Sequence, residues 1–183
     1  MRSQCAIILL ASASAACTGT SGTQGVSHLS LPDDSPDLSL QGVAFARLSE
    51  GRLVARGTAD HLDYRRAGGS MVATDGAATI VPEPGSGLAA YGVLHVSAPH
   101  IEGEVANRRG DGSGGVRLDT GRGDRAESEA VHYDGTTVRS DTRVVARGPG
   151  YRVESHGMVA QADGSAVRLT RGVQGTLDLE GSR

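Results

Sequence analysis

Aromatic residues are nearly absent: in 183 residues there is no Trp, one Phe (Phe45) and four Tyr. Any core must therefore come from Val, Leu, Ile and Ala, which favours half-buried sheets over bulky helical packing. Lysine is missing altogether, so all 18 basic residues are Arg. That absence excludes a GxxxxGK phosphate loop, a Schiff-base lysine and an SxxK nucleophile, each of which needs an ammonium that a guanidinium cannot imitate. A net charge of -3 in mixed sign gives no basic stretch of the kind a nucleic-acid binder concentrates on one face. What is abundant is glycine, at 27 residues, and the length is that of one ordinary domain.

Cysteine occurs only at Cys5 and Cys17. The first is expected to leave with a signal peptide spanning residues 1–16: Arg2, a short apolar stretch from Ala6 to Ala11, then small residues up to Cys17. That apolar stretch is far too short to stay in a bilayer as a helix. Ser14-Ala15-Ala16-Cys17 resembles the bacterial lipobox, although Ser14 stands where Leu is usual, and the resemblance implies a lipidated Cys17. Residues 17–42 are rich in Thr, Ser, Gly, Pro and Asp and read as a flexible tether with a reach of roughly 25 Å. Asp33, Asp34 and Asp37 lack the spacing of a calcium loop.

From residue 43 to 183 the pattern is that of one all-β domain. Period-two alternation recurs in Ile101–Val105, Val116–Asp119, Tyr151–Glu154, Val167–Thr170 and Leu177–Glu180. The pairs Asp75-Gly76, Asp134-Gly135 and Asp163-Gly164 predict hairpin turns between strands of four to eight residues. No run carries helical spacing, so the strands are expected to be antiparallel. A weak internal echo, strand then turn then strand, starts near Ala59, Glu129 and Met158. Gly110–Gly115 reads as a flexible hairpin loop.

The stretches Gly51–Gly57 to Tyr64–Arg66, Arg125–Gly135, Gly148–Glu154 and Arg171–Gly175 resemble the LptC and OstA-like proteins of lipopolysaccharide export. The resemblance covers nearly all of residues 43–179 through degenerate β-repeat motifs. It implies an open, twisted antiparallel β-jelly roll with an apolar groove between two sheets. It also implies a periplasmic relay that accepts lipopolysaccharide from an inner-membrane ABC transporter and passes it to an LptA-like bridge through edge strands. The edge nearest the bridge is expected to be Val167 to Leu179. Family members usually carry an amino-terminal transmembrane helix, which a lipid anchor at Cys17 would replace here. Thr18 is not the Asp that retains lipoproteins in the inner membrane of enteric bacteria, so the family favours the inner membrane and the outer membrane stays open.

Candidate groove residues are Phe45, Leu53, Leu94, Val96, Val131, Tyr133, Val153 and Leu169, each equally readable as a packed core position. No catalytic residue, metal or cofactor is expected: there is no GxSxG elbow, no HExxH, and His95 and His100, five apart, would face opposite sides of a regular strand. The main rival is a surface lipoprotein whose β-repeats form a closed scaffold without lipid cargo; an enzyme comes last.

Overall fold

The computed structural model describes residues 7–9 and 35–177. Among these there is no α-helix, only two short 3-10 turns at Ala67–Gly69 and Gly87–Tyr91 and thirteen strands. The strands are β1 (Ile7–Leu9), β2 (Leu38–Ser49), β3 (Arg52–Arg65), β4 (Ser70–Ile80), β5 (Leu94–Glu104), β6 (Arg109–Thr120), β7 (Arg125–Tyr133), β8 (Thr137–Ser140), β9 (Val144–Gly148), β10 (Tyr151–Ser155), β11 (Met158–Gln161), β12 (Val167–Leu169) and β13 (Gln174–Leu177). They belong to one open antiparallel sheet, not a closed barrel. Cys17, the rest of the expected signal and most of the tether lie outside the described residues, as do Asp33, Asp34 and residues 178–180. The tether itself ends earlier than its composition predicts, because Leu38 and Leu40 already pair with Tyr64 and Leu62 of β3.

The connectivity is simpler than thirteen strands suggest. β7 pairs with β9 through Arg125–Ser128 and with β8 through His132 and Tyr133, so β8 and β9 are two halves of one pass along the same neighbour. The same holds for β10 with β11, and for β12 with β13. From β2 onward the chain is a meander of nine long passes, each hydrogen-bonded to its neighbours in sequence. Tight turns make this possible: Glu50-Gly51 and Asp134-Gly135 place residues at positive φ between passes.

Every pass is interrupted at its middle. The ladder has no rung at Gly42, Asp60, Asp75, Pro99, Gly114-Gly115 or Glu129 in β2 to β7, and it breaks at 141–143, 156–157 and 170–173 in the later passes. Several of these residues suit the break. Gly42 (φ 59), Asp75 (φ 50) and Gly114 (φ 80) sit in left-handed backbone, and Pro99 has no amide to donate. The breaks line up into one crease that divides the sheet into two halves. At the far rims the 81–93 connection reaches the β11–β12 turn, where a Cβ on Gly87 would stand 2.5 Å from the Asp163 carbonyl oxygen. The sheet is thus folded along the crease until its rims touch at that point.

The crease holds most of the core. Val43 (7% exposed), Ala59 (5%), Ala98 (5%) and Val144 (1%) lie along it, and Ser155 is fully buried there. Where the ladder breaks, hydroxyls replace the missing backbone partners. Ser128 Oγ stands 2.7 Å from Ser140 Oγ and 2.9 Å from Thr142 Oγ1, while the Thr142 amide donates to Ser140 Oγ at 3.2 Å and Ser155 Oγ donates to the Gly157 carbonyl at 2.8 Å.

Four expectations are corrected by the crease. Asp75-Gly76 is a mid-strand bend in β4, not a hairpin turn, and Gly110–Gly115 lies inside β6 instead of forming a loop. The strands of the first six passes run to 14 residues in β3, longer than the predicted four to eight, because a bend within a strand looks like a turn in sequence. His95 and His100 share one face, since the extra residue at Pro99 shifts the alternation by one.

Scarce large side chains lie over glycines of the neighbouring pass. A Cβ on Gly57 would meet Phe45 Cζ at 2.4 Å and the Ala77 carbonyl oxygen at 2.4 Å; one on Gly76 would meet Ile101 Cδ1 at 2.4 Å. Gly57→Ala is expected to destabilise the fold by about 1–3 kcal/mol, because the ring and a backbone carbonyl must both shift. A urea midpoint equal to that of the parent chain would contradict this packing.

Candidate functional site

Following ladder partners across the sheet gives rows of side chains on one face. In the half containing the carboxy-terminal part of β2, Phe45 faces Gly57, Gly57 faces Ala78, Ala78 faces Val96 and Val96 faces Leu118. The row continues through Ala126, Ala146 and Val153 to Gly175. In the other half Leu38, Tyr64, Met71, Gly103 and Gly110 lead to Tyr133, Val138, Ala160 and Val167. Neither row contains a charged residue. Eight inter-strand steps make each row about 38 Å long.

The opposite face is charged. One row there runs Arg56, Thr79, His95, Asp119, Arg125, Arg147, Arg152, and another Asp63, Val72, Glu102, Asp111, His132, Arg139. Many of these groups are paired along the sheet. Arg143 grips Glu154 with two donors at 2.6 and 2.7 Å, which holds the Glu154 carboxyl below its ordinary pKa and raises that of Arg143. Arg117 and Arg147 share Glu127 at 3.4 and 3.2 Å. His100 meets Glu102 at 2.8 Å and His132 meets Asp111 at 2.7 Å. His61 stands 3.0 Å from Asp63 without the alignment of a hydrogen bond. Among the described residues no group of three or more His, Cys, Asp or Glu is arranged to hold a metal ion.

The two uncharged faces are not sealed against each other. Phe45 and Leu53 are 37% and 39% exposed, and Val96, Val131, Tyr133, Val153 and Leu169 are half-buried. A cleft of about 390 Å³ at the β2–β5 end opens instead on the charged face, where Arg56, Thr58, Thr79, His95, Ser97 and Asp119 line it over the backbone of the Phe45 row. Of the expected groove residues, Phe45, Val96 and Val153 fall in the first row and Tyr133 in the second. Val131 is two residues along β7 from Tyr133 and faces Gly112 on the same side. Leu169 faces Met158 on β11, and Leu53 sits at the rim opposite Leu48, past a bulge. Leu94, at 6% exposure, is a packed position and not part of an open surface. Tyr133 turns its hydroxyl to its own turn, donating to the Gly135 carbonyl at 2.7 Å, so its ring presents an apolar side.

Sequence reasoning missed the small members of these rows, Gly57, Ala78, Ala126 and Ala146. Their signal is positional: each occupies an alternate site opposite a larger apolar residue, which becomes visible only once the register is known. Compared with known proteins, the chain matches no family model and no curated protein. The case for a function accordingly rests on the geometry.

A few polar groups edge the uncharged face near the rim. Tyr151 donates to Asp124 Oδ1 at 3.1 Å, and burial, with Asp124 beside it, raises the phenol's pKa. Thr120 Oγ1 also donates to Asp124, at 3.2 Å. On the β7–β8 turn, Asp134 accepts from the Thr136 and Thr137 amides, which lowers its pKa and fixes the turn that ends the second row.

Proposed function

We propose that this protein is a lipid-relay module: acyl chains lie across the strands on the uncharged faces of a creased sheet and pass from one edge of it to the other. The observation that carries the proposal is the pair of uncharged rows, continuous over nine passes and left half-exposed. Flexible hydrocarbon needs area, not directional partners, and burial contributes about 25 cal/mol per Å² of apolar surface. Pairs of small residues, Gly57 with Ala78, Ala126 with Ala146 and Gly103 with Gly110, leave room for a chain to slide. The alternating face of Arg, Asp, Glu and His keeps the back of the sheet solvated.

In this reading the sheet corresponds to the open jelly roll of the LptC-like proteins it resembles, and its cargo is lipopolysaccharide or a similar amphipathic lipid. Cys17 would anchor it to a membrane in the periplasm, with an inner-membrane ABC transporter supplying the lipid. An LptA-like bridge would receive it by adding a strand to an exposed edge. The carboxy-terminal edge is split at the crease, offering β12 and β13 as two short templates instead of one from Val167 to Leu179.

A photocrosslinker placed at Tyr133 or Val153 is expected to capture lipopolysaccharide in cells, and one at the outward Arg152 to capture none. Silence at every uncharged-face position would leave the scaffold reading in its place.

A further inference from the structure

Resting on the relay reading, the geometry points to Arg47 as the residue that selects cargo with an anionic head group. Arg47 follows Phe45 by two residues on β2 and pairs in the ladder with Ala55, which places it on the uncharged face. Its row continues from Ala55 through Ile80 and Leu94 to Thr120. Of the charged residues on this face only Asp124, at the far end of that row, is comparable, and its carboxylate already accepts from Tyr151 and Thr120. No side-chain hydrogen bond or ion pair of Arg47 occurs among the described residues, whereas Arg143, Arg147, Arg117 and Arg125 on the other face are all paired.

An exposed, unpartnered guanidinium beside the Phe45 end of a hydrocarbon-binding row has the form of a head-group post. A chain lying along Phe45, Gly57 and Ala78 would bring its polar end to Arg47, one strand in from the edge that β1 forms, where two parallel N–H donors can meet a carboxylate or a phosphate. The rim location keeps that charge hydrated when the row is empty, so the empty protein carries no buried unpaired ion. The cargo class is then a single-tailed or multi-tailed lipid with an anionic group at one end, carried tail-inward from β2.

The full chain would be titrated with three probes of one tail length: palmitate, hexadecyl phosphate and hexadecanol. The expected result is that one or both anionic probes bind roughly tenfold more tightly than the alcohol. Arg47→Gln should remove that preference while leaving hexadecanol affinity unchanged. Palmitate alone being favoured would indicate a carboxylate head, and hexadecyl phosphate alone a phosphate. Equal binding of all three probes by the parent chain, or a preference that survives Arg47→Gln, would overturn the role of Arg47 and leave the groove intact. Failure of all three to bind would overturn the groove and this inference together. Arg56→Gln, on the charged face of the neighbouring strand, should change none of these affinities.

Discussion

Val96→Glu should weaken binding of a sixteen-carbon amphiphile about 100-fold while leaving the far-ultraviolet circular dichroism of the chain unchanged. Val96 lies mid-row between Ala78 and Leu118 and is only half-buried, so a glutamate there stays hydrated as long as the row is empty. Hydrocarbon laid over it strips that water and leaves a carboxylate without a partner. Two orders of magnitude correspond to about 2.7 kcal/mol, within the range for desolvating a polar group unpaired. The penalty should shrink in acid as the carboxyl takes up a proton. His95→Glu, one residue away on the charged face, serves as the contrast and should bind as the parent does. Displacement of a fluorescent fatty-acid analogue reads both variants, and equal affinities would show that the row is not the binding surface.

The second large effect concerns folding. Val144→Asp is expected to unfold the chain or to cost at least about 3 kcal/mol, because Val144 is 1% exposed at the crease, where its ladder partners Ser128 and Ser155 offer hydroxyls but no opposite charge. Domains of this size have only about 5–15 kcal/mol to lose. Val173→Asp, at a residue 53% exposed, should be nearly neutral. Urea denaturation of the two variants measures the contrast; similar midpoints would mean that the crease is not where stability resides.

The same crease explains which features could be read from the residues. Alternation in Val116–Asp119, Tyr151–Glu154 and Val167–Leu169 depends only on local side-chain direction, and each segment is a strand. Asp134-Gly135 and Asp163-Gly164 sit between strands as their chemistry predicts. Asp75-Gly76 carries the same dipeptide but bends a strand without reversing it, since the outcome depends on whether β3 and β5 continue beside it. Likewise Gly110–Gly115 looks like a loop in isolation, yet β5 and β7 on either side hold it extended. Phe45, Val96, Val153 and Tyr133, which the residues single out because they are large and apolar, all lie on the uncharged face. Gly57, Ala78, Ala126 and Ala146 were not legible, because small residues gain meaning only from the neighbours that the register brings to them. Arg47 escaped for the opposite reason: in sequence it is one of many arginines, and only its face distinguishes it.

Because the ladder bonds each pass only to the pass before and the pass after, the strands, apart from the rim contact near Gly87, resemble the stacked units of a solenoid. Inserting one more hairpin with the same mid-strand break would lengthen the hydrocarbon track by about 10 Å, at the expense of the junction where it was added and of the rim contact near Gly87. Track length is thus a quantity that gene duplication could adjust two strands at a time, with the crease carried along in every copy.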